Sequence, residues 1–420
     1  MKILVLSNMY PPHSLGGYEQ SCRDVVERLR ARGHEVTVLT TTMRVAGVPD
    51  PPAERAEGVR RDLDFYWRDH ALLSPPIRQR LRIERGNQQA LREAVADVGP
   101  DVVSVWNMGA MSLALLTTTT AQKVPLVLVV CDEWLVYGPE LDAWTRIFKN
   151  RPRLRQAASA LTRTPTDLPD LSSAAFCFVS DFIRRRSRDG APWASGIASV
   201  VYSGFDERDF PIASASPRPW RGRLLVVGRL DERKGIHVAV RALAHVPDAT
   251  LEIHGRGDEG YRERLETLAQ EVGVADRVTF EASPRRALRD RYSEADVLLF
   301  PVLWDEPFGL VPVEAMACGT PVVATGTGGS AEFLADGVNS LIVPLGDDRA
   351  LADAIQKLSG DPVLRSRLVL GGFKTARALT MEKLTDSLEA WHQAAVDRYE
   401  HGYPEDRASP YADPDPERRD

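Results

Sequence analysis

Short, unbroken runs of Val, Ile and Leu recur along the chain, and each is followed by a stretch with helical spacing. This alternation constrains the fold more than any other feature. A strand with one wet face alternates apolar and polar residues, whereas a continuous apolar run belongs to a strand covered on both sides, as in a parallel sheet. In the first half the strand-like runs are KILVLS (2–7), HEVTVLTT (34–41), DVVSVW (101–106), PLVLVVCDE (125–133) and AAFCFVS (174–180). Between the first two, residues 19–33 put Cys22, Val25, Val26 and Leu29 on one side of a helix, and Gly33 stops it.

After a join near 200–220, rich in Pro, Ser and Gly, the pattern restarts. GRLLVVGRL (222–230), ATLEIHGRG (249–257), RVTFEA (277–282) and DVLLFP (296–301) read as strands. Residues 237–246, 261–273 and 312–319 read as helices, and PVVAT and NSLIVP as short late strands. Two successive βα series predict an α/β chain of two doubly wound, Rossmann-like domains facing a central cleft, over 1–200 and 201–380. Residues 381–400 form one further helix, and the Pro- and acid-rich stretch 401–420 has too little to bury to order itself.

Composition narrows the class. The 420 residues, 43% hydrophobic and 27% charged, are of globular type. No apolar run approaches the roughly 20 residues of a membrane helix, and the run after Lys2 is too short for a secretory signal. Cys22, Cys131, Cys177 and Cys318 are scattered with no zinc-type spacing, which fits reduced thiols in a cytoplasmic protein. The net charge of −6 argues against general nucleic-acid binding. The charge is uneven: residues 1–200 hold 26 Lys and Arg against 22 acids, and the remainder 27 against 37. A solvated surface and a surface beside anionic lipid both fit that basic excess.

Four loops carry residues with chemistry. In SNMYPPHSLGGYEQ, Gly16 and Gly17 stand between the first strand and the first helix, where backbone amides can approach a phosphate; a plain βα turn is the other reading. In VGRLDERKG, Arg229 and Lys234 lie at the carboxyl end of a strand, where ligands of parallel sheets bind. Arg offers a fork and Lys a point charge, which suits a diphosphate, and a solvated loop is the alternative. HGRGDEG holds Gly255, Gly257 and Gly260 in the GxGxxG pattern of dinucleotide oxidoreductases, with Arg256 between the first two. Asp258 and Glu259 oppose that reading, because they put negative charge where a pyrophosphate needs amides. The glycines fit better as the shape of a loop beside a nucleotide base or ribose, with Arg256 a donor contact. In VLWDEPFGLVPVEAMACG, Glu306 lies in a loop leaving a buried strand and Glu314 in the first turn of the next helix, with the amides of Phe308, Gly309 and Leu310 between them. A surface acid and a capping acid would explain each glutamate singly, but not both beside the upstream cation pair.

On these residues the chain resembles a known family. EPFGLVPVEAMACGTPVVAT resembles the E-x7-E region of retaining glycosyltransferase family 4, on the two-domain GT-B fold. VVGRLDERKG is similar to its diphosphate site, PPHSLGGYEQ to its N-terminal Gly-Gly loop, and VVYSGFDERDF to its exit into the second domain. The resemblance spans roughly residues 1–395 and is specific for family rather than substrate. It implies a retaining transferase of the hexosyl type, with an acceptor-side domain over 1–200 and a nucleotide-sugar domain over 201–380, and with helix 381–400 crossing back to the first. Glu306 would face the donor sugar, Glu314 would bind the ribose, and Gly17, Arg229, Lys234 and the intervening amides would hold the diphosphate. A nucleoside-diphosphate sugar is then a co-substrate, and no metal or bound cofactor is required. The partners implied are that donor and a saccharide, natural-product or lipid-linked acceptor, in the cytoplasm or at the inner membrane face. One position departs from the family. Where it usually has His before Asp, this chain has Cys131 and then Asp132. Asp132 then faces the acceptor or a sugar hydroxyl, and the thiol suits a donor lacking a hydroxyl, such as a 6-deoxy sugar, unless Asp132 or water replaces the contact. The competing functions are a nucleotide-sugar epimerase, a nucleotide-sugar-binding protein without catalysis and, more remotely, an NAD-dependent oxidoreductase.

Overall fold

The computed structural model describes residues 1–50, 58–68, 71–214 and 218–401. The expectation for the 401–420 tail therefore falls, apart from His401, outside the described residues. The chain divides into two units, Met1–Tyr202 with Leu384 onward, and Ser203–Lys383.

The first unit runs β1 (Lys2–Leu6), α1 (Gly17–Ala31), β2 (Glu35–Thr41), β3 (Val59–Leu63), the small antiparallel pair β4 (Trp67–Arg68) and β5 (Ala71–Leu72), α2 (Ile77–Val98), β6 (Val102–Val105), α3 (Ala114–Ala121), β7 (Leu126–Val130), α4 (Trp134–Leu141), α5 (Pro152–Thr162), β8 (Ala175–Phe178), α6 (Asp181–Gly190) and β9 (Ile197–Val200). Seven strands pair in parallel in the order β3-β2-β1-β6-β7-β8-β9. The strands read as continuous apolar runs are the central ones; all residues of β6, β7 and β8 are buried. The edge strands β3 and β9, with half-exposed burial patterns, escaped the sequence reading because their runs are short and mixed.

The second unit runs β10 (Arg223–Val227), α7 (Ile236–Leu243), β11 (Thr250–His254), α8 (Glu259–Glu271), β12 (Val278–Glu281), α9 (Leu288–Glu294), β13 (Val297–Phe300), α10 (Leu310–Ala317), β14 (Val322–Ala324), β15 (Leu341–Ile342), α11 (Asp348–Gly360) and α12 (Pro362–Ala378). Its six strands are parallel, in the order β12-β11-β10-β13-β14-β15. Leu224, Val226, Leu251, Ile253, Val297 and Leu299 form the core of this sheet, against Ile236, Val240 and Leu243 of α7.

Strand order reverses between β1 and β6 in one unit and between β10 and β13 in the other. In open parallel sheets such a reversal opens a crevice at the carboxyl ends, because the loops on its two sides leave toward opposite faces. Three of the motif loops leave these strands, after β1, β10 and β13, whereas HGRGDEG leaves β11 and Cys131–Asp132 follows β7. Helix α13 (Met381–His401) follows α12, and from Leu384 on it groups with the first unit. There Trp391 is buried, and Arg32 pairs with Asp386 at 2.7 Å and with Glu389, which also meets His34 at 2.8 Å.

Candidate active site

In the second unit the loop after β10 is joined to its neighbours by backbone. Gly228 N–H donates to His254 O at 3.0 Å, Leu230 N–H to Arg256 O at 3.1 Å, and Asp258 N–H to Leu230 O at 3.1 Å. A Cβ at Gly255 would lie 1.7 Å from Gly228 O, and one at Gly257 would lie 2.4 Å from Leu230 O. The first two glycines of the formal GxGxxG pattern are therefore the imprint of two loops in backbone contact, which only glycine permits. Arg256, between these glycines, is exposed.

Farther along, Gly235 turns at φ +65°, and a Cβ there would fall 1.8 Å from Pro301 O. Leu303 N–H donates to Arg233 O at 2.7 Å. The loops after β10 and β13 are thus fastened together, as the adjacency of those strands demands. The consequence is the central contact of the site: Lys234 Nζ lies 2.6 Å from Glu306 Oε2. The same carboxylate oxygen accepts Trp304 Nε1–H at 3.0 Å. Lys234 Nζ is 5.6 Å from the Trp304 ring centroid, and the Arg233 guanidinium is 4.8 Å from it. Both contacts are of cation–π type and keep positive charge around the indole. Thr327 Oγ1 donates to Trp304 O at 2.6 Å and Gly329 N–H to Glu306 O at 2.7 Å, so the segment after β14 braces the loop. The side chains of Lys234 and Glu306 are 21% and 13% exposed: shielded, yet reachable.

Arg229 is not drawn into this pair. Its side chain is 58% exposed and only approaches Asp231, at 3.8 Å. Hydrogen bonds from Arg233 hold the Asp231 carboxyl down at about 2.

Phe308 is buried, Gly309 is the N-cap of α10 at φ +97°, and Leu310 opens that helix. The first amides of any helix lack intrahelical acceptors, so this end offers N–H donors beside Glu306. The sequence reading placed Glu314 in the first turn of this helix, and the structure corrects it. With the helix starting at Leu310, Glu314 is its fifth residue, and the first turn holds no acid. Burial, not the helix dipole, sets its surroundings. Its oxygens accept Tyr292 Oη–H at 2.9 Å and Arg285 Nη2–H at 3.2 Å. Glu306 and Glu314 therefore stand in two separate polar groups.

In the first unit Gly16 caps α1 and Gly17 is its first residue. The Gly16 N–H donates to Glu19 Oε2 at 2.9 Å, so the helix supplies its own carboxylate there. A Cβ on Gly17 would meet nothing within 4 Å, so space is open above that residue. The buried Tyr18 hydroxyl shares its proton between the carbonyls of Trp106 and Val129 and accepts Cys131 N–H at 3.1 Å. It ties the exits of β6 and β7 to α1. Burial pushes the Cys131 thiol well up, which keeps it protonated. Asp132 accepts Trp134 N–H at 3.0 Å and Tyr137 Oη–H at 3.1 Å. Burial outweighs those bonds and raises its carboxyl to about 6, with the charges of Glu19 and Glu133 adding to the effect. Sequence reasoning passed over Tyr18, Glu19, Arg233, Trp304, Arg285 and Tyr292. For Trp304 a signal was available, an aromatic two residues before Glu306; for Tyr292 and Arg285 there was none, because only the fold brings them to Glu314.

Comparisons with known proteins show the family. Residues 16–171, inside the first unit, match the family described as glycosyl transferase 4-like domain, and residues 217–374, inside the second, match glycosyl transferases group 1. The glycogen synthase of Mycobacterium tuberculosis is 28% identical over 404 residues, covering 87% of this chain and 88% of that protein. A D-inositol 3-phosphate glycosyltransferase of Xylanimonas cellulosilytica is 38% identical over 181 residues, 42% of this chain and 43% of that one. Among solved structures, sucrose-phosphate synthase from Thermosynechococcus elongatus superposes with a TM-score of 0.69 at 25% identity, over 94% of this chain and 99% of its own. Two transferase regions, one in each parallel-sheet unit, together fill about three quarters of the chain, which belongs to the group 1, family 4-type glycosyltransferases and has their GT-B fold.

Proposed function

We propose that the chain moves a sugar from a nucleoside-diphosphate sugar to a hydroxyl or amino group of a saccharide, polyol or lipid-linked acceptor, with retention at the anomeric carbon. The observation that carries this reading is the Lys234–Glu306 pair, with Trp304 on the same carboxylate oxygen. It stands at the strand-order reversal of the second unit, beside the amides that open α10. Glycogen synthase, D-inositol 3-phosphate glycosyltransferase and sucrose-phosphate synthase name saccharide or polyol compounds, which favours an acceptor of that class.

The steps follow from charge. In the ligand-free protein, Lys234 and Glu306 neutralise each other. An incoming diphosphate draws Lys234 to its oxygens, and the exposed Arg229 adds a second cation. Glu306, still held by the Trp304 N–H, turns its freed capacity to the sugar hydroxyls. The anomeric C–O bond breaks, and its electron pair leaves with the phosphate. Charge developing there is met by groups already in place, which need no reorganisation. The acceptor oxygen attacks from the same face, and its proton passes to the departing phosphate oxygen. Glu314 binds the donor ribose in this reading by trading its bond from Tyr292 or Arg285. Asp132 of the first unit, with its raised pKa, is assigned to the acceptor in the same reading.

The test is release of nucleoside diphosphate from a panel of nucleotide sugars, preselected by thermal shift, since a ligand stabilises the state it binds. Release that depends on acceptor is expected, and Glu306→Gln should reduce it about 10²-fold or more with an unchanged melting profile. Isomerised donor without diphosphate release would mean an epimerase. Binding with no turnover under any acceptor would mean a carrier protein, and cofactor absorbance after purification an oxidoreductase.

A further inference from the structure

Helix α5 has no buried residue. Its half-buried positions, Arg155, Ala158, Ser159 and Thr162, share one side. The other side carries Leu154, Ala157 and Leu161 at i, i+3, i+7 spacing, with Leu154 46% and Leu161 84% exposed. Helix α2 meets the C-terminal end of α5, where Arg85 donates through Nε and Nη2 to Thr162 O at 3.2 and 3.1 Å, and Leu81 and Ala158 pack on the same cluster of Ala114, Trp144 and Phe148. The outward side of α2 is an arginine stripe, Arg78, Arg82 and Arg85 at i, i+4, i+7, all exposed. Residues 145–163 contain six Arg or Lys and no acid. The acids flanking this segment are already used: Asp142 is buried on the Leu113, Trp144 and Thr145 amides, Glu140 pairs with Lys149 and Asp167 with Arg155. Among the described residues, Arg78, Arg82 and Arg153 make no ion pair. An apolar stripe thus borders a field of unneutralised guanidinium groups.

Three occupants can be weighed. A soluble polyanion would satisfy the arginines and gain nothing from the leucines. A second copy laid face to face about a twofold axis would set arginines against arginines. An anionic lipid surface uses both, with guanidinium groups at the phosphates and Leu154 and Leu161 in the acyl boundary, as interfacial amphipathic helices do. We propose that the α2–α5 face docks this chain on anionic membrane surfaces.

The experiment is co-sedimentation of the full chain with phosphatidylglycerol vesicles and with phosphatidylcholine vesicles, at low and high salt. Binding to the anionic vesicles alone, lost at high salt, is expected. Arg78→Gln/Arg82→Gln/Arg153→Gln should lower partitioning about 10²-fold, because each basic residue near such a surface contributes about 1 kcal/mol and 1.4 kcal/mol is one decade. Leu154→Ser/Leu161→Ser should lower it about tenfold or more. These side chains are exposed, so both variants should melt like the parent. Absence of binding to anionic vesicles, equal binding to neutral ones, or an unchanged triple variant would overturn the proposal. So would a dimer in solution that the Leu154→Ser/Leu161→Ser variant dissolves, which would give the stripe to a second copy. The readout is partitioning rather than sugar transfer, so failure here and failure of the transferase reading are separable.

Discussion

Lys234 and Arg229 play the same part in the proposed chemistry but sit in different surroundings, and this gives them distinguishable variants. Lys234 is largely shielded and neutralises Glu306; Arg229 is 58% exposed and has only a loose approach to Asp231. Both Lys234→Ala and Arg229→Ala should weaken nucleoside diphosphate binding and slow transfer about 10²-fold or more. Only Lys234→Ala should destabilise the ligand-free protein, by about 1–2 kcal/mol, between the values for surface and buried pairs. Arg229→Ala should change it by less than about 0.5 kcal/mol. Melting of both ligand-free variants beside diphosphate titrations checks this, and equal melting losses would mean that Lys234 is not holding Glu306. In the other unit, the neutral Cys131 thiol is a poor hydrogen-bond partner. A site without a hydroxyl partner discriminates little for hydroxyls. The wild type should therefore accept a donor lacking its 6-hydroxyl at least as well as the matched donor, and Cys131→His should shift kcat/KM toward the hydroxylated one. A wild type that strongly favours the hydroxylated donor would refute this.

Among elements, α13 holds a titration hidden in its packed face. His392 is buried, and neither ring nitrogen has a hydrogen-bond partner. Burial pushes its pKa down to about 4, with His34 adding to the effect and Glu389 opposing it. The folded value lies below the unfolded value of about 6.5, so the unfolded chain takes up the proton first. The contribution is complete above pH 6.5 and is lost progressively as the pH falls toward 4. The loss amounts to roughly 3 kcal/mol at about 1.4 kcal/mol per pKa unit. His392→Leu conserves volume and removes the titration. Urea denaturation from pH 7.5 to 4.5 should show a shallower acid limb for this variant, and parallel curves would clear His392 of the role.

For the whole molecule, the decisive segment is the part of α13 that groups with the first unit. Leu384, Leu388 and Trp391 are all buried, and Arg32 and His34 pair with Asp386 and Glu389. Burying each such side chain is worth about 1.5–3 kcal/mol. Three together are comparable with the roughly 5–15 kcal/mol that stabilises an ordinary domain. A chain ending at Lys383 should therefore lose the cooperative melting of the first unit, while the second unit, with its own core, keeps its transition. Calorimetry with limited proteolysis distinguishes the two units, and an intact first transition would show that the helix is dispensable.

What the amino-acid order determined by itself is what local forces determine. Continuous Val/Ile/Leu runs made both parallel sheets legible, since only a strand covered on both faces tolerates them, and glycines and prolines marked the loops between. Lys234 and Glu306 could be suspected from loop position alone. The tertiary structure decided which loops meet. β10 pairs with β13 across more than fifty intervening residues, and that register puts Lys234 against Glu306 and Trp304. The helix start at Leu310 moved Glu314 out of the first turn and into the company of Tyr292 and Arg285. Gly255 and Gly257 of the GxGxxG pattern proved to be where two backbones touch. Spacing along a chain reports helix and strand periodicity, whereas strand order, helix start and close approach are set by packing between distant segments.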